Sequence, residues 1–345
     1  MRDLPGFGAP GPTLAGVGES GLLARLLGGR SVEAPGLLLG PGDDAAAWQP
    51  PPGMALVLTQ DALVEDVDFR RAWIAPLLLG RRSLALSLSD LAAMGATPAW
   101  CLVTLCAPGD TALADVEQLN DGLQEMAVEW GCPVVGGDVS AITGPIVIDV
   151  VAGGTVHPDR MLRRDAGRPG DALVVTGMLG RAAAGLHVLR EDSFPAPGNP
   201  ELLAAWRSAQ LDPTPRLREG AALAAGGVRC AGDISDGLLV DATRTAGSSR
   251  CGAELWRDAL PVDPELRTVF PDDWVALAIG GGEDFELLAA VPPSRLHGLL
   301  DTWPDDLAPL HVVGRLVDGT GVTLLDREGG TQQQLPAIAS RHFGS

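Results

Sequence analysis

Six aspartates stand at turns or at the ends of apolar segments, where their carboxylates could share metal ions. They are Asp44, Asp61, Asp90, Asp138, Asp233 and Asp236, with hydroxyls from Thr59 and Ser235 nearby in sequence. Hard oxygen donors without His or Cys select Mg²⁺, Mn²⁺ or Ca²⁺ over zinc or copper. Because six carboxylates exceed what one Mg²⁺ takes from a protein, the pattern predicts several Mg²⁺ ions on a polyphosphate.

The sequence context of three acidic segments bears on whether they bind a metal. Gly42-Asp43-Asp44 is a turn of the kind common on protein surfaces. Gly136-Gly137-Asp138 ends an apolar run, where glycines let a phosphate approach main-chain N–H groups and the acid ligates its cation. Asp233 and Asp236 flank Ser235 before a predicted helix, and helix capping accounts for only one of these carboxylates.

The elements that must position these residues follow from the apolar periodicity. Strands are predicted over residues 54–58, 99–107, 134–138, 145–156, 172–176, 228–233 and 285–291. Helices are predicted over residues 21–27, 80–95, 115–130, 181–189, 213–225 and 236–248. Short strands that alternate with longer helices indicate an α/β or α+β fold.

The helix over residues 80–95 carries two stripes at helical spacing. Leu84, Leu88 and Leu91 form an apolar stripe that we expect to be buried. A second stripe contains Ser83, Ser87 and Asp90, so this acid lies on a rigid element. The second stripe is either a solvated face or a face that presents Asp90 to a ligand.

Length and composition narrow the class of protein. A chain of 345 residues predicts two domains, here divided into residues 1–157 and 158–345. The net charge of -19 argues against non-specific binding to nucleic acid or anionic membranes. All 25 basic residues are Arg, which excludes a Walker lysine, a Schiff base and a pyridoxal-phosphate anchor.

The remaining motifs favour a cytoplasmic protein without a transition-metal centre. The five cysteines contain no C-x-x-C pair, and the five histidines are scattered, so we expect reduced thiols rather than zinc ligands. No apolar run approaches the length of a membrane span, and no signal peptide is evident. Gly177 and Gly180 open a helix without the G-x-G-x-x-G spacing of a dinucleotide site.

Seven segments, in order from about residue 36 to 315, closely resemble the thiamine-monophosphate kinase family. They are Gly40-Pro-Gly-Asp-Asp44, Asp61-Ala-Leu-Val-Glu65, Leu88-Ser-Asp-Leu-Ala-Ala-Met-Gly-Ala96, Gly136-Gly-Asp138, Val175-Thr-Gly-Met-Leu-Gly-Arg-Ala-Ala-Ala-Gly-Leu186, Asp233-Ile-Ser-Asp-Gly-Leu238 and Gly281-Gly-Glu-Asp-Phe-Glu-Leu287. The resemblance implies the fold of aminoimidazole ribonucleotide synthetase and selenophosphate synthetase, with an N-terminal sheet domain that forms a homodimer and a C-terminal α/β domain.

The resemblance also implies an enzyme that uses ATP and Mg²⁺ to convert thiamine monophosphate to thiamine diphosphate. The metal ligands would be Asp44, Thr59, Gln60, Asp61, Asp90, Asp138, Asp233 and Asp236. Gly137, Asp138, Arg164 and Ser235 would contact ATP, and Asp68 and Glu283 would contact the acceptor. The residues on which catalysis would depend are Asp44, Asp61, Asp138 and Arg164.

This chemistry suits a chain without lysine. The attacking phosphate oxygen is already ionised at neutral pH, so alignment and charge screening by Mg²⁺ and Arg replace a general base. Two rivals stay open: an enzyme of the same superfamily that phosphorylates another small acceptor, and a catalytically silent dimer that binds Mg²⁺ and nucleotide.

Three positions depart from the family pattern. Asp68 stands where the family usually has a His that contacts the substrate, and Gln60 replaces a hydroxyl residue. Ser340 stands near the place of an aromatic residue that packs on the substrate. We expect Asp68 to weaken acceptor binding unless a metal, Arg70 or Arg71 compensates its charge.

Overall fold

The computed structural model describes residues 4–28, 32–190 and 198–336. Contacts divide the chain into two compact units. The first contains the described residues up to Pro158 except 92–95, and the second contains 92–95 and the described residues from Asp159 on. Within these ranges, no helix has the length and apolar character that crossing a bilayer requires. Ser340 lies outside the described residues.

The first unit is built on a four-stranded sheet. Its elements are α1 (Leu14–Leu27), β1 (Leu37–Leu39), β2 (Ala47–Trp48), β3 (Ala55–Val64), α2 (Pro76–Ala93), β4 (Thr97–Ala107), α3 (Leu113–Trp130), β5 (Val134–Ala141) and β6 (Val147–Val156). The last two residues of α2 are assigned to the second unit. The sheet order is β3-β6-β4-β5, with β4 and β5 parallel and the other pairs antiparallel. β1 and β2 form a separate antiparallel pair around the double-aspartate turn.

Helix α2 packs with both of its predicted stripes covered. Leu84, Leu88 and Leu91 are fully buried, as expected, and Ser83 and Ser87 are buried as well. The solvated alternative for the serine stripe is therefore wrong. A close crossing with α3 fixes the helix, because a Cβ on Gly80 would lie 1.8 Å from the carbonyl oxygen of Leu119.

The second unit is built on a six-stranded sheet. Its elements are β7 (Ala172–Thr176), α4 (Arg181–Arg190), α5 (Pro200–Leu211), α6 (Leu217–Ala225), β8 (Cys230–Asp233), α7 (Leu238–Ser248), β9 (Gly252–Trp256), α8 (Pro264–Val269), α9 (Trp274–Gly280), β10 (Leu287–Val291), α10 (Pro293–Asp301), β11 (Leu310–Val317) and β12 (Gly321–Leu325). The sheet order is β12-β9-β11-β7-β10-β8, and only the β9–β12 pair is parallel.

Mixed sheets with packed helices confirm the predicted α/β (α+β) class, but several boundaries differ. β3 continues through Asp61 to Val64, and β5 continues through Asp138 to Ala141, so both acids lie inside strands rather than at strand ends. The apolar pattern gives no prediction for residues 201–211, which form most of α5. α1 begins at Leu14, earlier than predicted, with a non-helical Gly18 inside it.

Candidate active site

Two oxygen-rich side chains of β3 face two of α2. The Thr59 hydroxyl donates a hydrogen bond to the Asp90 carboxylate. The Ser87 hydroxyl lies 3.1 Å from Asp61 Oδ2 and 3.1 Å from the Val150 carbonyl oxygen. The strand alternates its side chains with period two, so Thr59 and Asp61 share the face that α2 covers. The structure thus brings together three of the predicted ligands, Thr59, Asp61 and Asp90.

The Asp61 carboxylate is held in an environment that opposes its ionisation. Burial, reinforced by the negative charges of Asp90 and Asp149, raises the pKa of Asp61 to about 6, although the hydrogen bond with Ser87 acts in the opposite direction. Crowded, partly desolvated carboxylates are a common arrangement at sites that bind a cation. The cluster therefore has the donor set and the charge that a hard divalent ion requires.

Gln60 lies on the opposite face of the sheet from Thr59 and Asp61. Its side-chain amide donates to both carboxylate oxygens of Asp149, at 3.1 and 3.0 Å. In the β3–β6 register Gln60 pairs with Val151 and Ala62 pairs with Asp149, so all four side chains share one face. The predicted ligand role does not fit the Gln60 side chain. Only the main-chain carbonyl of Gln60 could bind a metal beside Asp61. Sequence reasoning missed Asp149, whose only signal is a lone acid in an apolar strand.

Asp44 and Asp138 occupy exposed positions in the same unit. Asp44 follows Asp43 in the turn between β1 and β2, where the Asp44 N–H donates 2.8 Å to the Asp43 carboxylate. Asp138 accepts a 3.3 Å hydrogen bond from Ser140. A Cβ on Gly137 would lie 1.9 Å from the Val103 carbonyl oxygen, so close strand packing already requires this glycine. In the described part of the chain, no three His, Cys, Asp or Glu residues form a ready-made metal cage.

In the second unit, the other two predicted aspartate ligands lie at the end of β8 (Asp233) and in the loop that follows it (Asp236). Arg164 Nη2 lies 3.1 Å from Asp233 Oδ1. Its side chain crosses β8 where a Cβ on Gly232 would lie 2.5 Å from Arg164 Nε. This arrangement places Arg164, predicted to bind ATP, beside a predicted metal ligand.

Asp236 is held by two residues that sequence reasoning missed. Its N–H donates 3.0 Å to Asp241 Oδ2, and its carboxylate forms an ion pair with Arg244. Arg244 also donates 3.1 Å to Asp241 Oδ1, which closes a ring of three residues. Asp241 is 1% exposed, and burial raises its pKa even though the Asp236 N–H, Arg164 and Arg244 favour its charged form. The ring fixes both the main chain and the carboxylate of Asp236.

The glycine-rich segment before β10 places Glu283 against the same loop. Glu283 and Phe285 have φ values of 59° and 49°, a left-handed conformation that costs non-glycine residues about 1–3 kcal/mol each. Their N–H groups donate to the carbonyl oxygens of Ser235 and Ile234, at 2.8 and 3.0 Å. Strain of this kind persists where the surrounding structure holds it in place.

Asp284 and Glu286, which follow Glu283, both make hydrogen bonds that stabilise the fold. Asp284 accepts hydrogen bonds from the N–H groups of Gly180 and Ala182, at 2.9 and 3.3 Å, and so stabilises the start of α4. The buried Glu286 accepts two hydrogen bonds from Arg216, at 2.6 and 2.7 Å. Burial raises the pKa of Glu286, although Arg216 favours its ionised form. The Glu283 carboxylate accepts a 2.7 Å hydrogen bond from the Gln210 amide, which is an uncharged donor.

Asp68 serves the turn in which it lies. Its carboxylate accepts a 2.8 Å hydrogen bond from the Val64 N–H. Arg71 forms an ion pair with Glu65 at 2.6 Å, and Arg70 lies over the ring of Trp73 at 4.6 Å from its centroid. Both arginines that could compensate Asp68 thus have other partners, so neither of them pairs with the Asp68 carboxylate in these contacts.

Comparison with known proteins finds a matching family domain for each unit. The chain matches the AIR synthase related protein family, in its N-terminal domain over residues 42–156 and in its C-terminal domain over residues 168–327. It is 36% identical over 329 residues to a thiamine-monophosphate kinase of Synechococcus elongatus, covering 91% of this chain and 96% of the relative.

Solved structures give the same result. The chain is similar to thiamine-monophosphate kinase from Stenotrophomonas maltophilia, with a TM-score of 0.76 and 35% identity over 88% of this chain and 94% of that one. It is also similar to AaThiL complexed with AMPPCP and TMP, with a TM-score of 0.71 and 28% identity over 92% of this chain and 96% of that one. The two-domain fold implied by the sequence resemblance is therefore confirmed.

Proposed function

The chain belongs to the thiamine-monophosphate kinase family, and we propose a division of roles among its residues for the reaction that this family catalyses. The enzyme transfers the γ-phosphoryl group of ATP to thiamine monophosphate. A phosphate oxygen of the acceptor forms the new P–O bond, the bond between the γ-phosphorus and the β–γ bridging oxygen breaks, and ADP leaves. The match to curated kinases across nine-tenths of the chain carries this conclusion.

We assign Mg²⁺ binding in the first unit to Asp61, Asp90 and Thr59, with Asp44 and Asp138 as further ligands. The oxygen-only donors suit Mg²⁺, and the pKa of Asp61 is raised by burial and then by the charge of Asp90, both of which a bound cation would offset. In the second unit Asp233 and Asp236 have the same role. When bound, Mg²⁺ screens the repulsion between two phosphate anions.

We assign the ATP contacts to Gly137, Arg164 and Ser235. With no lysine in the chain, a guanidinium is the cation that can meet a transferring phosphoryl group, and Arg164 is already fixed beside Asp233 at 3.1 Å. No general base is required, because the acceptor oxygen is ionised before it reacts. The protein's contribution is therefore alignment and electrostatic stabilisation.

The acceptor is assigned to Glu283, whose carboxylate suits the cationic thiazolium or a protonated aminopyrimidine of thiamine monophosphate. Asp68 lies in the position of the family's substrate-contacting residue, but its hydrogen bond with Val64 supports a structural role. We therefore propose that Asp68 shapes its turn and that any effect on the acceptor arises from its charge.

We propose that the protein forms a homodimer through the first unit. We also propose that it acts in the cytoplasm, where ATP is abundant. β3 is an edge strand of its sheet, and Leu56 and Leu58 are 43% and 60% exposed on the face that α2 does not cover. Exposed apolar side chains on an edge strand favour association with a second sheet surface.

A steady-state assay with thiamine monophosphate and Mg²⁺-ATP tests the function. We expect ADP and thiamine diphosphate in equal amounts, with little ADP when the acceptor is omitted. ADP formation that requires a different small acceptor would favour the rival enzyme. Nucleotide binding without turnover on any acceptor would favour the silent dimer.

A further inference from the structure

A buried amide side chain contacts the carboxylate assigned to the acceptor. Gln210 is 6% exposed, and its Nε2 donates a 2.7 Å hydrogen bond to Glu283 Oε2. The bond joins residues 73 apart in sequence, on α5 and on the segment before β10. A glutamine amide adds a donor without adding charge, so the bond orients the carboxylate without bringing a cation to it.

Helix α5 is anchored so that Gln210 has little freedom. Trp206, one turn earlier, is fully buried, and its indole N–H donates 2.9 Å to Asp263. Arg181 adds two hydrogen bonds to the same carboxylate, at 2.7 and 2.9 Å. The anchor therefore links α5 and the start of α4 through Asp263.

Helix α4 also makes room for this contact. A Cβ on Gly185 would lie 2.1 Å from the Trp206 carbonyl oxygen and 3.1 Å from the Gln210 Cβ. Gly185 belongs to the motif over residues 175–186, to which the proposed reaction gives no role. We infer that Gly185 is required for the close approach of α4 and α5. This approach in turn lets the Gln210 side chain reach Glu283.

The Glu283 main chain is fixed independently of its side chain. Its φ is 59°, its N–H donates to the Ser235 carbonyl oxygen, and the N–H of Phe285 donates to the Ile234 carbonyl oxygen. These main-chain bonds leave the side-chain torsions of Glu283 unspecified. The Gln210 amide supplies an orienting contact at the carboxylate itself.

We propose that Gln210 is a positioning residue for the acceptor, holding the Glu283 carboxylate towards a cationic group of thiamine monophosphate. This inference rests on the proposed role of Glu283. It assigns acceptor selectivity to α5, a helix outside the segments that carry the family resemblance.

The test uses the full-length enzyme and two substitutions. Gln210→Met keeps an unbranched side chain of similar size and removes the donor. We expect the KM for thiamine monophosphate to rise about tenfold, the scale of one hydrogen bond to a charged group, while kcat and the KM for ATP stay unchanged. Gln210→Glu places a second carboxylate against the first, and we expect a larger rise.

A matched control separates positioning from general destabilisation of α5. Asn199 caps the other end of the same helix, accepting from the N–H groups of Glu201 and Leu202 at 3.0 and 3.4 Å. Asn199→Ala should lower the melting temperature and leave the KM for thiamine monophosphate unchanged. If it raises that KM as much as Gln210→Met does, the positioning role is wrong.

A double-mutant cycle gives a second decision. In a Glu283→Gln background, Gln210→Met should add no further rise in KM, because the charge it positions is gone. Additive effects would overturn the proposal.

Calorimetric titration of the wild type with thiamine monophosphate distinguishes failure of the proposed function from failure of the positioning role. If the wild type neither binds nor phosphorylates this acceptor, the proposed function is wrong, whereas normal wild-type turnover with an unchanged Gln210→Met refutes the positioning role alone.

Discussion

The main-chain N–H of Glu283 donates a 2.8 Å hydrogen bond to the carbonyl oxygen of Ser235. This bond joins the residue assigned to the acceptor and a residue assigned to ATP. The neighbouring bond from Phe285 to Ile234, at 3.0 Å, adds a second connection between the same two segments. Because both bonds use main-chain atoms, the relative position of the two segments does not depend on their side chains.

Glu283→Gln should therefore affect the acceptor alone. The main-chain bond to Ser235 survives the substitution, while the negative charge is lost. We expect the KM for thiamine monophosphate to rise about tenfold or more and the KM for ATP to stay unchanged. Steady-state kinetics with each substrate varied in turn measures both constants. A parallel rise in the two would show that Glu283 acts on the loop as a whole.

Asp61→Asn should abolish most activity. Removing one element of a preorganised electrostatic site costs at least about 10²-fold in turnover. We expect the same scale for Asp44→Asn and Asp138→Asn, and a reduced response to added Mg²⁺ in all three. Turnover like that of the wild type in the three variants would contradict the metal assignment.

The same Asp61→Asn substitution should stabilise the metal-free fold. The pKa of Asp61 is raised from 3.8 to about 6 in the folded chain, chiefly by burial. A raised carboxyl pKa means that the folded state keeps its proton at a pH where the unfolded state has lost it. The stability that this provides is present below pH 3.8 and is lost as the pH rises through about 6.

Thermal unfolding with a chelator present tests whether Asp61→Asn stabilises or destabilises the metal-free fold. At pH 7.5, Asp61→Asn should raise the free energy of unfolding by up to about 3 kcal/mol, the equivalent of the pKa shift, and the gain should shrink towards pH 4. Asp121→Asn, at an exposed position of α3, is the matched control and should change little at either pH. A destabilised Asp61→Asn at pH 7.5 would contradict the pKa argument.

Asp68→Asn isolates the charge of Asp68 from its structural bond. The Asn side-chain oxygen can still accept from the Val64 N–H, whereas a His at this position need not. If the carboxylate repels the acceptor phosphate, the KM for thiamine monophosphate should fall in Asp68→Asn with kcat preserved. We expect Asp68→His to lower the melting temperature as well. An unchanged KM in Asp68→Asn would leave the turn as the function of this residue.

Leu58→Arg tests the dimer. Leu58 is 60% exposed on β3, and a charge there should prevent association through this face of the sheet. Light scattering at micromolar concentration should give a dimer mass for the wild type and a monomer mass for the variant. Val128, 82% exposed on α3, provides the control, since Val128→Arg should stay dimeric. A wild type that is monomeric at this concentration would overturn the assembly.

The parts of the site that sequence predicts are those set by local periodicity. The spacing of Ser87 and Asp90 places both on one face of α2, and the structure puts that face against Asp61 and Thr59. The end of β3 was harder to predict, because Thr59-Gln60-Asp61 has the polarity of a turn. These residues continue the strand because α2 presents small polar side chains to the inward pair.

The residues that were missed depend on contacts between distant segments. Asp149 meets Gln60 across 89 positions, and Gln210 meets Glu283 across 73. Asp241 has the spacing of a polar helix face, yet it is buried against the Asp236 loop. No local pattern encodes such pairs, since each depends on how strands register and helices pack.

The alternation along β3 has a consequence for how this chain can change. Asp61 and Leu58 are separated by an odd number of positions, so one faces α2 and the other faces outward. Inserting or deleting a single residue between Leu58 and Asp61 would place both side chains on one face, moving either the acid into the surface proposed to self-associate or the leucine beside Asp90. Length variation in β3 should therefore be tolerated only in steps of two, and indel scanning of this strand would lose catalysis and assembly together.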